Sequence, residues 1–338
     1  MDRHSDVTGF FICSVFCYTI DMKKKINVTV LSGGFSNERD ISLLSGAQVF
    51  KALDKEKYIL KHIDISKKTL PKLPELLSGT DVCFIALHGP FGEDGHIQAV
   101  LNNLNIPYTG SGLMASALCM DKYRSMSIAE SAGLTIPKSV LLTRMHLDSF
   151  SETEKIIKKH FGYPVFVKPN NSGSSMGAGV AKTKDELEAR LCDAFTHDAV
   201  VVVQEVITGR ELTCAVMGNF GDDILALPPV EIKIKKGFFD RQVKYSPETV
   251  ELCPAPLTKS QTQKIRELAV LAHDALGCDG VTRSDFILKG NTFYYLETNT
   301  IPGLTENSLA PKEAKAVGMT FSQYLDAQIL LALAKNKK

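Results

Sequence analysis

Residues 280–300 read GVTRSDFILKGNTFYYLETNT, and most of the architecture can be argued from them. Lys289-Gly290-Asn291 reads as a tight turn, because Gly and Asn tolerate positive φ. The flanking runs SDFIL and TFYYLE are rich in β-branched and aromatic residues, so they read as two antiparallel strands. With the turn centred near Asn291, Asp285 lies directly across from Glu297. Side chains alternate along a strand, so Arg283 and Asp285 share a face, as do Glu297 and Asn299. Opposed carboxylates repel unless something positive intervenes. Asp285, Glu297 and Asn299 offer oxygen and neither sulfur nor imidazole, which suits Mg²⁺ rather than zinc. The hairpin is therefore expected to hold a hard cation together with a phosphate.

The bulk of the chain sets the frame around this hairpin. Its 338 residues suggest two or three domains at roughly 150 residues each. Net charge is +1, from 39 basic and 38 acidic residues, so no electrostatic argument favours a nucleic-acid partner. The cysteines at 13, 17, 83, 119, 192, 214, 253 and 278 form no CxxC pair and no zinc spacing, and read as reduced, mostly buried thiols of a cytoplasmic protein. Residues 1–21 differ from the rest. Their apolar run 9–20 is too short to span a membrane and no basic segment precedes it. Met22 opens MKKKINVTVLSGG, an ordinary beginning for an α/β protein, so residues 1–21 read as an upstream-start extension, with a weak signal anchor as the alternative.

Strands and helices alternate over the first part. A strand over 26–31 runs into Ser32-Gly33-Gly34, and a helix follows with apolar positions at 41, 44, 47 and 50. Residues 81–87, DVCFIAL, read as a buried parallel strand ending at His88-Gly89. Helices over 96–104 and 113–132 flank an extended piece at 106–109. The alternation implies an open α/β sheet with ligands at the carboxyl ends of its strands. A second pattern begins near Thr135. Strands are expected over 164–169, 173–182, 199–206 and 211–217, with a capping box at Thr183–Glu186 opening a helix to about Thr196. Residues 235–250 read as a mobile loop, and helices over 259–276 and 321–335 flank the hairpin.

Four loops carry chemistry and also admit plainer readings. KPNNSGSSMGAG, 168–179, joins Lys168 to a small-residue loop able to wrap phosphate oxygens, yet it could be only a polar hairpin turn. HGPFGEDGHIQ, 88–98, puts His88 in a cleft or is simply a glycine-rich turn. SGGFSNERDIS, 32–42, carries Glu38 where a helix cap would also tolerate it. IPGLTENSLAPKEA, 301–314, puts Ser308 near a helix N-terminus, where free N–H groups can bind a carboxylate or the serine can merely cap.

Taken together, GGFSNERDISLLSG, HGPFGEDGHIQ, YTGSGLMASALCMDK, VKPNNSGSSMG, GRELT, KYSPET, RSDF and LETNTIPGLTENSLAP resemble, in order, the D-alanine–D-alanine ligases of the ATP-grasp superfamily, over residues 24–335. The resemblance implies an α/β, ATP-grasp fold: an N-terminal open parallel α/β domain (22–120), then central (121–212) and C-terminal (213–338) α+β domains sandwiching ATP. It implies a homodimer that makes D-alanyl-D-alanine for peptidoglycan. By motif position, Lys122 and Lys168 match lysines on the ATP phosphates, Ser174 and Ser175 the phosphate loop, Gln204, Glu205 and Val206 the adenine border, and Glu211 the ribose acid. Asp285, Glu297 and Asn299 match the ligands of two Mg²⁺ (or Mn²⁺) ions. Glu38 matches the residue meeting the first D-alanine's ammonium, with Ser174 and Tyr245 as its partners and His88 nearby. Lys244 matches a loop lysine on the transferred phosphate, Arg283 and Gly303 the oxyanion site, and Ser308 and Leu309 the cradle for the second carboxylate. Relatives that join D-alanine to D-lactate or D-serine usually alter the loop around Lys244-Tyr245, which this chain keeps. A different ATP-grasp substrate fits poorly with Glu38 and Ser308-Leu309, and a catalytically dead binding homologue would be expected to lose ligands that all persist here.

Overall fold

β1 (Ile26–Gly33) pairs in parallel with β2 (Tyr58–Ile65) and β3 (Val82–Ile85), giving a three-stranded sheet in the order β2-β1-β3. These elements belong to a computed structural model that describes residues 24–173, 176–234 and 249–335. β3 is buried at all four positions, as its unbroken apolar run requires. Helix α1 (Arg39–Ala52) links β1 to β2, but the apolar stripe at 41, 44, 47 and 50 is not its buried face. Ser42, Ser45, Gly46 and Val49 are buried instead. The reason is close approach: a Cβ on Gly46 would lie 2.5 Å from the Cβ of Ser32. Ser42 settles its hydroxyl between the Gly33 N–H and the Ala86 carbonyl, at 2.8 and 2.7 Å. Only small side chains fit there, so Ile41 and Leu44 face a cleft.

Beyond α2 (His96–Asn103), the single helix expected over 113–132 is two, α3 (Leu113–Met120) and α4 (Lys122–Ser131). Asp121 breaks it with ψ 93° and then caps α4 by accepting the Arg124 N–H. The second sheet is antiparallel, ordered β4-β7-β5-β6 from β4 (Ser139–Thr143), β5 (Val165–Pro169), β6 (Gly179–Ala181) and β7 (Val200–Glu205). Helices α5 (Phe150–His160) and α6 (Lys184–His197) join it in one core that includes Ile157, Val165, Leu187 and Val203. Thr183 caps α6, while Glu186 returns to the Lys182 N–H rather than to that of Thr183, so the capping box is offset by one residue.

The third sheet runs β11-β10-β8-β12-β13, with β9 also on β8. Its strands are β8 (Arg210–Gly218), β9 (Leu225–Ala226), β10 (Val230–Ile234), β11 (Thr249–Leu252), β12 (Gly280–Lys289) and β13 (Thr292–Asn299). The boundary expected at residue 212 thus falls inside β8, and Thr249 and Val250, expected in a loop, pair with β10. Cys119, Met126 and Ala129 of α3 and α4 pack with Leu212, Phe286 and Tyr295 of this sheet and with Ile265 of α7 (Lys259–Ala275). After α8 (Leu309–Ala316), α9 (Phe321–Lys335) returns to the first sheet, where Tyr324 and Ile329 share a core with Leu31 and Phe84. Among the described residues no helix is long and apolar enough to cross a membrane, and the cysteines at 83, 119, 192, 214, 253 and 278 are free thiols.

Candidate active site

The β12–β13 hairpin turns at Gly290 (φ +61°) and Asn291, with Lys289 opposite Thr292. That register would place Asp285 across from Leu296. A β-bulge corrects it: Phe286 pairs with Tyr295, Leu296 is skipped, and Asp285 then faces Glu297 while Arg283 faces Asn299. The facing of the two acids is as expected, but it depends on an extra residue that strand alternation does not reveal. Arg283 lies over Asp285 with two hydrogen bonds, Nε to Oδ1 and Nη2 to Oδ2, both 2.8 Å. Thr213 on β8 donates to the same Oδ1 at 2.7 Å. Burial lowers the Arg283 pKa, but Asp285 and Glu297 more than offset this and hold it above its ordinary value.

Two lysines complete the charged floor. Lys122 opens α4, whose first N–H groups are bound by Asn170 at the end of β5: Lys122 N to the Asn170 carbonyl, Tyr123 N to its Oδ1. The Lys122 ammonium donates to the Ser172 carbonyl at 2.6 Å and lies 3.8 Å from Glu297 Oε2. Lys168 on β5 is buried, which pushes its pKa down to about 8. Glu297 and Asp285 oppose that shift and Lys122 reinforces it. Two cations beside two acids, partly shielded from water, are the kind of charge set that could accept a polyphosphate and its counter-ion.

Around the same space stand the groups expected to meet amino acids. Glu38 is at the N-cap of α1 yet makes no side-chain cap bond, so the plain capping reading fails. Its carboxylate lies where two glycines make room: a Cβ on Gly173 would be 2.6 Å, and on Gly89 2.7 Å, from Glu38 Oε2. His88 is buried, with Nε2 2.9 Å from Ser45 Oγ and Nδ1 3.7 Å from Glu93. Ser308 is at the N-cap of α8, but its hydroxyl meets Thr305 Oγ1 at 2.8 Å rather than capping the helix. Gly303 approaches so closely that a Cβ there would be 2.7 Å from Ser308 Oγ.

Glu38, His88, Lys122, Lys168, Gln204, Glu205, Val206, Glu211, Arg283, Asp285, Glu297, Asn299, Gly303, Ser308 and Leu309 all line one cavity of about 720 Å³. Gln204 is buried and its Oε1 has no hydrogen-bond partner among the described residues, an acceptor available to an exocyclic amine. The Glu205 carboxylate instead accepts the Lys138 N–H at 2.8 Å. Ser174, Ser175, Lys244 and Tyr245 lie outside the described residues, as does the extension 1–21. Sequence reasoning passed over Ser45, Asn170 and Thr213, although all three sit in the quoted motifs. It also passed over Ile41, Leu44 and Gln48, whose cleft-facing side the apolar stripe concealed.

No group of three or more His, Cys, Asp or Glu side chains among the described residues is arranged to hold a metal. Asp285, Glu297 and Asn299 amount to two carboxylates and an amide. That is too few donors to hold a hard cation alone, and suited to one that shares phosphate oxygens with a nucleotide. The residues fit such an ion.

Residues 66–111 match the model for the D-ala D-ala ligase N-terminus, and residues 128–330 the model for the D-ala D-ala ligase C-terminus. A D-alanine–D-alanine ligase of Syntrophobacter fumaroxidans is 41% identical over 316 residues, covering 92% of this chain and 98% of that protein. The crystal structure of D-alanine–D-alanine ligase from Bacillus anthracis superposes with a TM-score of 0.82 at 35% identity, over 92% of this chain and 99% of that one. The same protein complexed with ATP gives 0.80. The VanG D-Ala:D-Ser ligase of Enterococcus faecalis gives 0.81 at 32% identity, over 91% of this chain and 100% of that one.

Proposed function

The chain belongs to the D-alanine–D-alanine ligase family, and on that premise we propose how its residues divide the work. It is an ATP-using ligase with the ATP-grasp fold, and it joins two D-alanine molecules. The observation that carries the assignment of roles is the convergence on one cavity of a charged floor, the Glu38 carboxylate and the N-terminus of α8.

In this reading Gln204 accepts the adenine amine and Glu211 meets the ribose. Lys122 and Lys168 neutralise the phosphates. Asp285, Glu297 and Asn299 would hold the Mg²⁺ or Mn²⁺, which supplies charge neutralisation at the transferred phosphate when bound. Glu38 orients the first D-alanine by its ammonium, with His88 beside it. That substrate's carboxylate attacks the γ-phosphorus of ATP, ADP leaves, and an acyl phosphate forms. The second D-alanine is held through its carboxylate at Ser308, Leu309 and the α8 N-terminus. Its amine attacks the acyl carbon, Arg283 and the Gly303 backbone stabilise the oxyanion, and inorganic phosphate departs. Little of this needs covalent help from the protein; position and electrostatics carry it. The family also supports extending the reading to Lys244 at the transferred phosphate, to Ser174 and Tyr245 as partners of Glu38, and to a cytoplasmic homodimer.

Purified protein with ATP, Mg²⁺ and D-alanine should release ADP and D-alanyl-D-alanine in equal amounts. Absence of D-alanine-dependent ADP release overturns the reading. Parallel reactions with D-lactate or D-serine as the second substrate test the rival specificities, and light scattering tests the dimer.

A further inference from the structure

Glu313 is a fully buried carboxyl group that none of the steps above uses. It stands on α8, the helix whose N-terminus lines the cavity, and its Oε2 accepts the Ala215 N–H at 2.5 Å. The β-ladder explains why Ala215 needs a side-chain acceptor. β9 pairs with β8 through Ala226 and Val216, and β10 pairs through Val230 and Thr213. Between these pairs runs Leu227-Pro228-Pro229. The Leu227 N–H reaches the Ala215 carbonyl at 2.8 Å. In a regular pair the Leu227 carbonyl would accept the Ala215 N–H, but it accepts the Cys214 thiol at 3.4 Å instead, where the two prolines take the chain out of the ladder. The Ala215 N–H thus opens onto a gap in the sheet, and Glu313 fills the gap.

On its other side Ala215 sits opposite Arg283 in the β8–β12 register. One side chain therefore ties the substrate-facing helix to the strand position backing the oxyanion arginine. Burial pushes the Glu313 pKa well above the carboxylate range, and the Ala215 N–H and Arg283 only partly oppose this. Its Oε1 has no hydrogen-bond partner among the described residues. A side chain that merely filled space there would not need a polar end.

We propose that Glu313 is a positioning residue: a strut that sets the height of the α8 N-terminus over Arg283, so that the second amino acid's carboxylate and the developing oxyanion are held in register. The proposal rests on the reading of Ser308, Leu309 and Arg283 given above. Initial rates over a wide D-alanine range resolve its two saturation steps, and ATP is varied separately. Glu313→Met keeps the volume and removes the acceptor. It should raise half-saturation at the second D-alanine site about tenfold, the effect of stranding one buried N–H, and leave the KM for ATP within about twofold. Glu313→Gln keeps an oxygen acceptor and should leave both constants within about twofold of wild type. The proposal is overturned if Glu313→Met changes nothing, if it raises both constants alike, or if Glu313→Gln is as impaired as Glu313→Met. Should Glu313→Met not fold, Glu313→Gln decides: wild-type constants support the strut, and a tenfold loss removes it. Wild-type ADP release dependent on D-alanine, measured alongside, reports separately on the parent reading.

Discussion

The cavity has one charged wall and one apolar wall, and they answer to different physics. On β12 and β13, with Lys122 and Lys168 beside them, the charged side chains are mostly covered: Arg283 is 11% exposed, Lys122 13% and Asp285 24%. On the α1 side the cavity is lined by Ile41 and Leu44, and Leu44 is 53% exposed. In the first wall each charge is balanced by another at short range and low dielectric, so altering a single atom alters the balance. In the second wall an apolar side chain contributes in proportion to the area it covers. Substitutions in the first should therefore cost orders of magnitude in rate, and substitutions in the second only small factors.

The sharpest test of that contrast is Glu297→Gln. The side chain keeps its shape and loses only its charge, opposite Asp285 and 3.8 Å from Lys122. Turnover should fall at least about 10²- to 10³-fold, the usual scale for removing one preorganised electrostatic group. Far-UV circular dichroism should be unchanged. Residual activity within tenfold of wild type would contradict both the metal assignment and the proposed difference between the walls.

A smaller effect is expected from pH. Lys168 has its pKa lowered to about 8 by burial, against Glu297 and Asp285 and with Lys122. A phosphate needs the protonated form. Because kcat/KM reports on groups of the free enzyme, kcat/KM for ATP should drop about tenfold from pH 7 to pH 9. In Lys168→Arg, which stays charged, the profile should be flat there whatever its level. A flat wild-type profile would refute the titration. The sign for stability is opposite. The unfolded chain holds this proton more tightly than the folded one, so the Lys168 contribution to stability rises from pH about 8 into the ordinary lysine range.

The charged wall was largely legible because charge pairing and strand alternation are local. Arg283, Asp285, Glu297 and Asn299 could be put on shared faces from a turn and a period of two. What local reasoning missed was the bulge at Leu296, beside which the Phe286 and Tyr295 rings meet edge to face across the two strands. On α1 the apolar period pointed to the wrong face. Ser42, Ser45 and Gly46 are buried because a strand lies against them, while Ile41 and Leu44 line the cavity; nothing in the helix alone distinguishes a lining from a core. Glu313 left no signal either, since its partner is created by two prolines about eighty residues away.

Gly173 and Glu38 join the walls. Glu38 stands at the start of α1, and Gly173 lies in the loop that follows Lys168. Gly173→Ala would put a methyl 2.6 Å from the Glu38 carboxylate and force it aside. Half-saturation by the first D-alanine should rise about tenfold, roughly one charge-assisted hydrogen bond misaligned, while the KM for ATP stays within about threefold. Equal changes in both would mean that Gly173 shapes the phosphate loop rather than the ammonium site.

The smallest expected effect lies on α1, one residue from the buried face. Leu44→Ala removes a side chain that is more than half exposed, leaves no cavity in the core and touches none of the charges. Stability should stay within about 0.5 kcal/mol, as for exposed positions generally. The D-alanine constants should move by less than about threefold, because the methyl-bearing substrate can cover only part of the area lost. Gly46→Ala two residues on provides the internal control for stability. It introduces one carbon where Ser32 already stands at 2.5 Å, so it should cost about 1–3 kcal/mol by overpacking against β1. Thermal unfolding of the two variants reads both numbers. If Leu44→Ala proved the more destabilising, the apolar side of α1 would be core after all and the assignment of its faces reversed. If instead it cost a hundredfold in D-alanine saturation, Leu44 would be gripping substrate as tightly as the charges opposite, and the two walls would no longer differ in kind.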